Sequence, residues 1–97
     1  MTEYQITSWR DIPSMVAARD GESITKIQLA ARFQEAIDEA AMRLGETSSD
    51  AYLEGWSRSG WTPGDGDHAD VAARIAASLE HEWTPQRLTD YLDALTP

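Results

Sequence analysis

Residues 4–22, "YQITSWRDIPSMVAARDGE", decide how the chain begins to fold. The first six residues of this stretch alternate between two faces and are rich in β-branched and aromatic side chains, which is typical of a strand. We expect a break at residues 11–14, because Pro13 lacks an amide hydrogen and biases the residue before it toward extended geometry. Met15–Arg19 is predicted to return as a second strand, and Asp20 and Gly21 to supply the next reversal. The stretch therefore predicts an antiparallel β-hairpin.

A third strand and a long helix are predicted to follow this hairpin. Ile24–Leu29 alternates again, with Lys26 on the same face as Ile24. From Ala30 to Leu44 apolar residues recur at helical spacing, and Gly45 is a natural helix end because it tolerates a left-handed backbone. The members of this apolar stripe are Phe33, Ile37, Ala40, Ala41 and Leu44.

The second half of the chain predicts three further helices around an irregular, glycine-rich stretch. We expect a short helix from Asp50 to about Trp56, and the irregular stretch after it is compatible with a short strand around Arg58 to Thr62. Asp67 is expected to cap a third helix, since its carboxylate can accept hydrogen bonds from unpaired amides of the first turn. A fourth helix is expected to begin at Pro85, because proline is favoured at the first helical position.

The length and composition fit one globular domain over residues 1–97. Hydrophobic residues make up 41% of the chain, which is enough for a core. We therefore predict an α+β fold, in which an N-terminal antiparallel hairpin or three-stranded sheet packs against three to four short helices.

The charge and the cysteine count exclude several classes of protein. The formal net charge is −9, from 17 acidic and 8 basic residues, which disfavours binding to nucleic acid or anionic lipid. The chain has no cysteine, so it has no disulfide, thiolate nucleophile or cysteine metal site. It also lacks a secretory signal pattern and any apolar run near the roughly 18 residues of a membrane span. We expect a cytoplasmic protein without membrane contact.

Motifs that suggest catalysis or metal binding fail in detail. "GWSRS" at residues 55–59 is similar to a nucleophile elbow, but Ser59 stands where that motif needs glycine. "DGDHAD" at residues 65–70 is similar to the start of a calcium loop, but Asp70 stands where the loop needs glycine. The two histidines, His68 and His81, are not spaced as a ligand pair. We predict no catalytic residue, no metal and no cofactor, and hence a protein that is not an enzyme.

Four tryptophans are many for a chain of this size. Each buries a large area and needs a partner for its indole hydrogen, so a core position is the default interpretation. A domain this small does not easily enclose four, and we expect Trp56 or Trp61 to be exposed as an interface anchor. Trp9, at the hairpin corner, is expected to cover the core. The predicted partner-binding residues are Trp9, Arg10, Trp56, Arg58 and Trp61.

Two segments carry a resemblance to a known family: "YQITSWRDIPSMVAARDG" and "RFQEAIDEAAMRLGETSSDAYLEGW". Together they resemble the small bacterial "virulence factor" domain, which occurs alone and attached to a larger staphylococcal conserved virulence factor. Stand-alone members are often encoded beside enzymes of tetrahydrofolate- and corrinoid-dependent methyl transfer. The resemblance therefore implies an accessory subunit of such an enzyme, and it supplies no catalytic residues.

A second resemblance leads to a different class. A strand, a helix ending at Gly45 and a serine-capped helix follow the order of a ribbon-helix-helix DNA-binding regulator, with Lys26 and Gln28 at the base-reading positions. The added hairpin, the two extra C-terminal helices and the charge of −9 oppose this alternative. The hypothesis we favour is a non-catalytic accessory or interaction protein that docks on a larger protein partner, through the edge of its N-terminal sheet or through an aromatic patch near Trp56 and Trp61. Homo-oligomerisation stays open.

Overall fold

The computed structural model describes residues 1–45 and 48–95. Among these residues an antiparallel sheet of five strands is combined with four helices, so the predicted α+β class is confirmed. The elements are β1 Thr2–Trp9, β2 Ile12–Asp20, β3 Ser23–Gln28, α1 Ala31–Arg43, α2 Ser49–Glu54, β4 Trp56–Arg58, β5 Thr62–Gly64, α3 His68–Glu82 and α4 Pro85–Leu95.

The sheet is larger than the three strands predicted, because one irregular segment adds two short ones. The strand order is β3-β2-β1-β4, and β5 pairs with β1 beside β4. Ser59, between the two short strands, continues the pairing: its amide donates to the Ile6 carbonyl at 2.9 Å, and its Oγ accepts from the Ile6 amide at 2.9 Å. The strand predicted around Arg58 to Thr62 is thus two three-residue strands, with residues 59–61 between them.

The first turn lies earlier than the sequence predicted. Trp9 pairs with Ile12, so the reversal occupies residues 10–11, and β2 includes the proline that was expected to break it. Thr7 pairs with Met15 and Ser8 with Pro13, which leaves one extra residue, Ser14, in a β-bulge. Bulges accommodate proline because the ladder is already interrupted there. The Ser14 carbonyl instead accepts from the Leu29 amide at 3.0 Å.

Two helices cover one face of the sheet. α3 lies across β2 and β3, and α1 packs on β2. On this face Val16 and Ala18 are fully buried, and the Oγ1 of Thr25 lies 2.6 Å from the Nδ1 of His68, the first residue of α3. The apolar stripe predicted for α1 is confirmed, with Phe33 and Ile37 in the core. α4 packs against α1 and completes the helical layer.

The helix ends follow the predicted capping rules with one exception. The Asp67 carboxylate accepts from the Ala69 amide at 3.2 Å, and Pro85 is the first residue of α4. Gly45 follows α1 with φ 72°, the left-handed backbone expected of it. The exception is α2, which ends at Glu54, because Trp56 pairs with β1 as part of β4 rather than extending the helix.

Phe33→Ala tests the core assignment. The side chain is 1% exposed, so we expect its removal to lower the free energy of unfolding by about 3–5 kcal/mol. Met42, on the same helix, is 62% exposed, and Met42→Ala should change it by less than about 0.5 kcal/mol. Urea unfolding followed by circular dichroism measures both; equal effects would contradict the assignment.

Candidate interaction surface

Trp9, one of the five predicted partner-binding residues, lies inside the molecule. Its side chain is 0% exposed, and its indole N–H donates to the Tyr52 carbonyl at 2.8 Å. The two rings stack with centroids 5.8 Å apart. The backbone of Gly55 lies directly against the indole. Trp9 therefore covers the core, as expected, and joins the hairpin to the segment around α2 without reaching the surface.

Arg10 occupies the hairpin turn beside Trp9. Its φ of 54° is in the left-handed region, and its amide donates to the Gly55 carbonyl at 2.8 Å. Its guanidinium lies 5.5 Å from the centroid of the Trp9 ring. The neighbouring turn residue, Asp11, accepts a hydrogen bond from the Tyr91 hydroxyl at 3.2 Å. The turn residues thus tie the hairpin to the α2–β4 connection and to α4.

Trp56 extends this aromatic cluster toward the surface. Its ring meets Tyr52 edge-on, with centroids 6.0 Å apart and an interplanar angle of 79°. Trp56 is half-buried, and it lines a shallow cavity with Thr7, Ser57 and Arg58. Trp56 therefore has both a structural contact and an accessible edge.

Trp61 and Arg58 lie on the sheet face opposite the helices. Trp61 is half-buried, and the guanidinium of Arg19 lies 3.8 Å from its ring centroid. Arg58 pairs with Thr7 in the register and is exposed. Thr7 and Arg58 line both the cavity beside Trp56 and a second one beside Trp61, so the two cavities form one continuous surface.

We call this surface the open face. Residues directly opposite each other in an antiparallel sheet point to the same side, so the register defines its rows. The rows are Glu3–Arg19–Ile24, Gln5–Ala17–Lys26 and Thr7–Met15–Gln28, with Arg58 beside Thr7 and Trp61 laid over Arg19.

The open face has an apolar centre and a basic rim. Ala17 is 6% exposed at its middle, whereas Ile24, at its edge, is 51% exposed. Arg19, Lys26 and Arg58 surround this centre. An aromatic ring and arginines around an apolar depression are the residue types that dominate protein–protein interfaces.

The structure brings some predicted residues together and separates others. Arg58 and Trp61 share the open face, Trp56 borders it, and Trp9 and Arg10 lie at the hairpin turn. Sequence reasoning did not select Arg19, Met15 or Lys26 as partner-binding residues. The sequence signal for this surface is the run of residues 15–18, which places apolar side chains on both faces of β2. The described helices cover one of those faces, so the apolar side chains on the other face are left for a partner.

Within residues 1–45 and 48–95, no three His, Cys, Asp or Glu side chains are grouped as metal ligands would be. None of the helices in this part of the chain has the length and apolar character of a bilayer-spanning segment.

The sequence profile of a family described as "virulence factor" matches residues 7–91. The chain belongs to this family. The match runs from β1 to α4, so it includes both the helical layer and most of the open face of this virulence factor domain. No curated protein and no solved structure matches the chain.

Gly55→Ala tests the contact that holds the virulence factor domain's hairpin to β4. A Cβ on Gly55 would fall well inside van der Waals contact with the Trp9 indole, so we expect the unfolding free energy to drop by about 1–3 kcal/mol. At Gly60 no atom of the described residues lies within 4 Å of the same position, so Gly60→Ala is the matched control and should have a much smaller effect. Chemical denaturation of both variants is the measurement; a Gly55→Ala variant as stable as Gly60→Ala would contradict the contact.

Tyr91 is expected to make the free energy of unfolding of the virulence factor domain depend on pH in the alkaline range. Burial raises the pKa of the Tyr91 phenol, and the negative charge of Asp11 raises it further. A pKa raised by folding contributes stability that is complete below the unfolded value, near 10, and is lost as the pH rises through the folded value. The stability difference between wild type and Tyr91→Phe should therefore be constant from about pH 7 to 9 and shrink above about pH 10. Urea unfolding across this range measures it; a constant difference at all pH values would contradict the assignment.

Proposed function

We propose that this chain is a non-catalytic interaction domain that docks on a larger protein through its open face. The observation that carries the proposal is that the described helices cover one side of the sheet and none of them covers the other, where Ile24 is 51% exposed and Trp61 is half-buried. Apolar side chains arranged in this way on a sheet are typical of a surface that a partner covers.

The size of the open face limits what it can bind. With strands about 4.8 Å apart and alternate residues about 7 Å apart, four strands and three rows give a surface of roughly 20 by 20 Å including side chains. That is about 400 Å², half of the roughly 800 Å² that each partner contributes to a standard interface. We infer that the open face binds one segment of the partner, such as a helix or an extended stretch, rather than a whole flat surface.

The family resemblance supplies a specific partner to test. We propose a tetrahydrofolate- or corrinoid-dependent methyl-transfer enzyme, of which this chain would be an accessory subunit in the cytoplasm. The lack of cysteine supports a reducing compartment.

The experiment is affinity capture with the tagged full chain from a native extract. Ile24→Ser removes an apolar side chain from the open face, and Met42→Ser removes one of similar exposure from α1 as the matched control. We expect one stoichiometric protein to be recovered by the wild type and by Met42→Ser. Ile24→Ser should recover at least about tenfold less, which corresponds to about 1.4 kcal/mol and is the loss expected if Ile24 is one of the few residues that dominate the interface. Recovery of no partner, or equal recovery by both variants, would overturn docking through the open face. A partner unrelated to methyl transfer would overturn only the specific identity.

DNA binding is the second candidate function. Lys26 and Gln28, the predicted base-reading residues, are exposed on the open face, which they share with Arg58, and this favours DNA binding. The charge of −9 opposes it, because phosphate contacts supply much of the affinity in such proteins. A gel shift with random-sequence duplex DNA at low salt tests this candidate. The absence of a retarded band would rule out DNA binding.

A further inference from the structure

The charges of the molecule are unevenly distributed. The chain has 8 basic and 17 acidic residues, yet the open face holds Arg19, Lys26 and Arg58 and, among the described residues, a single acidic residue, Glu3. This surface is therefore locally positive on a strongly negative protein. Such an inversion selects partners by charge, because like charges repel everywhere except at the inverted patch.

Two of these cations have no ion-pair partner within the part of the chain that the structure describes. Elsewhere Arg87 pairs with Glu82 at 3.3 Å, and on the open face Arg19 lies 3.8 Å from Glu3 while it stacks on Trp61. Lys26 and Arg58 are exposed and make no ion pair with any described carboxylate. Their charges are thus available to a ligand.

The geometry places an apolar depression between these two cations. Lys26 lies on β3 and Arg58 on β4, three strand spacings and one row apart, which is roughly 16 Å between their backbones. Ala17, the most buried residue of the open face, sits between them in the register. Because alanine is short, its neighbours Met15 and Gln5 leave a depression there, which they line together with Trp61.

We propose that the open face binds an acidic segment of the partner protein, in which carboxylates reach Lys26 and Arg58 and an aliphatic side chain enters the depression over Ala17. This inference rests on the proposed function and specifies the chemistry of the docked segment. A segment confined to the roughly 20 Å face is attracted by local cations, because the Debye length is only about 8 Å at physiological ionic strength. A nucleic acid duplex extends beyond the face to the acidic remainder of the surface, which repels it.

Peptide titration of the full, ¹⁵N-labelled chain tests the proposal by NMR. The probes are three nine-residue peptides made of repeats of Glu-Glu-Leu, Lys-Lys-Leu and Glu-Glu-Ser. We expect Glu-Glu-Leu to shift the amides of β2, β3 and Arg58 and to bind at least about tenfold more tightly than either of the others, because it alone supplies both charge and an aliphatic group. Its affinity should fall several-fold between about 50 and 300 mM NaCl.

Charge reversal identifies the residues responsible. Lys26→Glu with Arg58→Glu should weaken Glu-Glu-Leu binding at least about tenfold, and the neutral pair Lys26→Gln with Arg58→Gln should have an intermediate effect. Arg74→Glu, an exposed cation on α3, is the matched control and should leave the affinity within about twofold. Unchanged dispersion of the amide spectrum verifies that each variant is folded.

Several outcomes would overturn the inference. These are no shifts up to about 1 mM Glu-Glu-Leu, shifts confined to α1 and α4, equal binding of Lys-Lys-Leu, or a stronger response to a 20-bp duplex. Self-association of the wild type that charge reversal abolishes would assign the open face to a second copy and would also overturn it. If capture of the partner depends on Ile24 but not on Lys26 and Arg58, the interaction function holds and the acidic segment is wrong. If capture depends on none of these three residues, both the interaction function and the acidic segment are refuted.

Discussion

The buried indole of Trp9 is the contact on which the arrangement of the surface depends. Its N–H donates to the Tyr52 carbonyl, the Gly55 backbone lies against the same edge of the ring, and the Arg10 amide donates to the Gly55 carbonyl. These contacts join the N-terminal hairpin to the α2–β4 connection, which is more than forty residues away in sequence. Because β4 begins directly after Gly55, they also set where Arg58 meets the sheet.

The sequence predicted the regular parts of the fold well, because their signals are local. Alternation marked three strands, helical spacing marked α1, and the caps marked α3 and α4. The hairpin turn was misplaced because Pro13 looks like a break, and the bulge that accommodates it depends on pairing with β1 and on a hydrogen bond from Leu29. The two short strands were merged because residues 56–64 owe their extended backbone to β1 and carry little alternation of their own.

The candidate surface was predictable only in part. Arg58 and Trp61 were selected from their residue types and their irregular segment, and they do lie on one surface. Trp9 was included with them, although its position beside the turn gives no sign that Tyr52 will cover it. Arg19 was not selected, and Lys26 was selected only for the DNA-binding alternative, because the sequence around a charged strand residue does not show which side chains lie beside it. The register places both residues around Ala17.

The division of one sheet edge into the short strands β4 and β5 has a consequence for assembly. An uncovered strand edge is a template for pairing with another chain, and this sheet has two edges. On one side, short strands with Pro63 and Gly64 offer a broken pattern of donors and acceptors, because proline has no amide hydrogen. Among the strands of residues 1–45 and 48–95, β3 alone presents a continuous edge. Fibre growth by strand addition needs a competent template on both sides, so two molecules that join through β3 have no site left for a third.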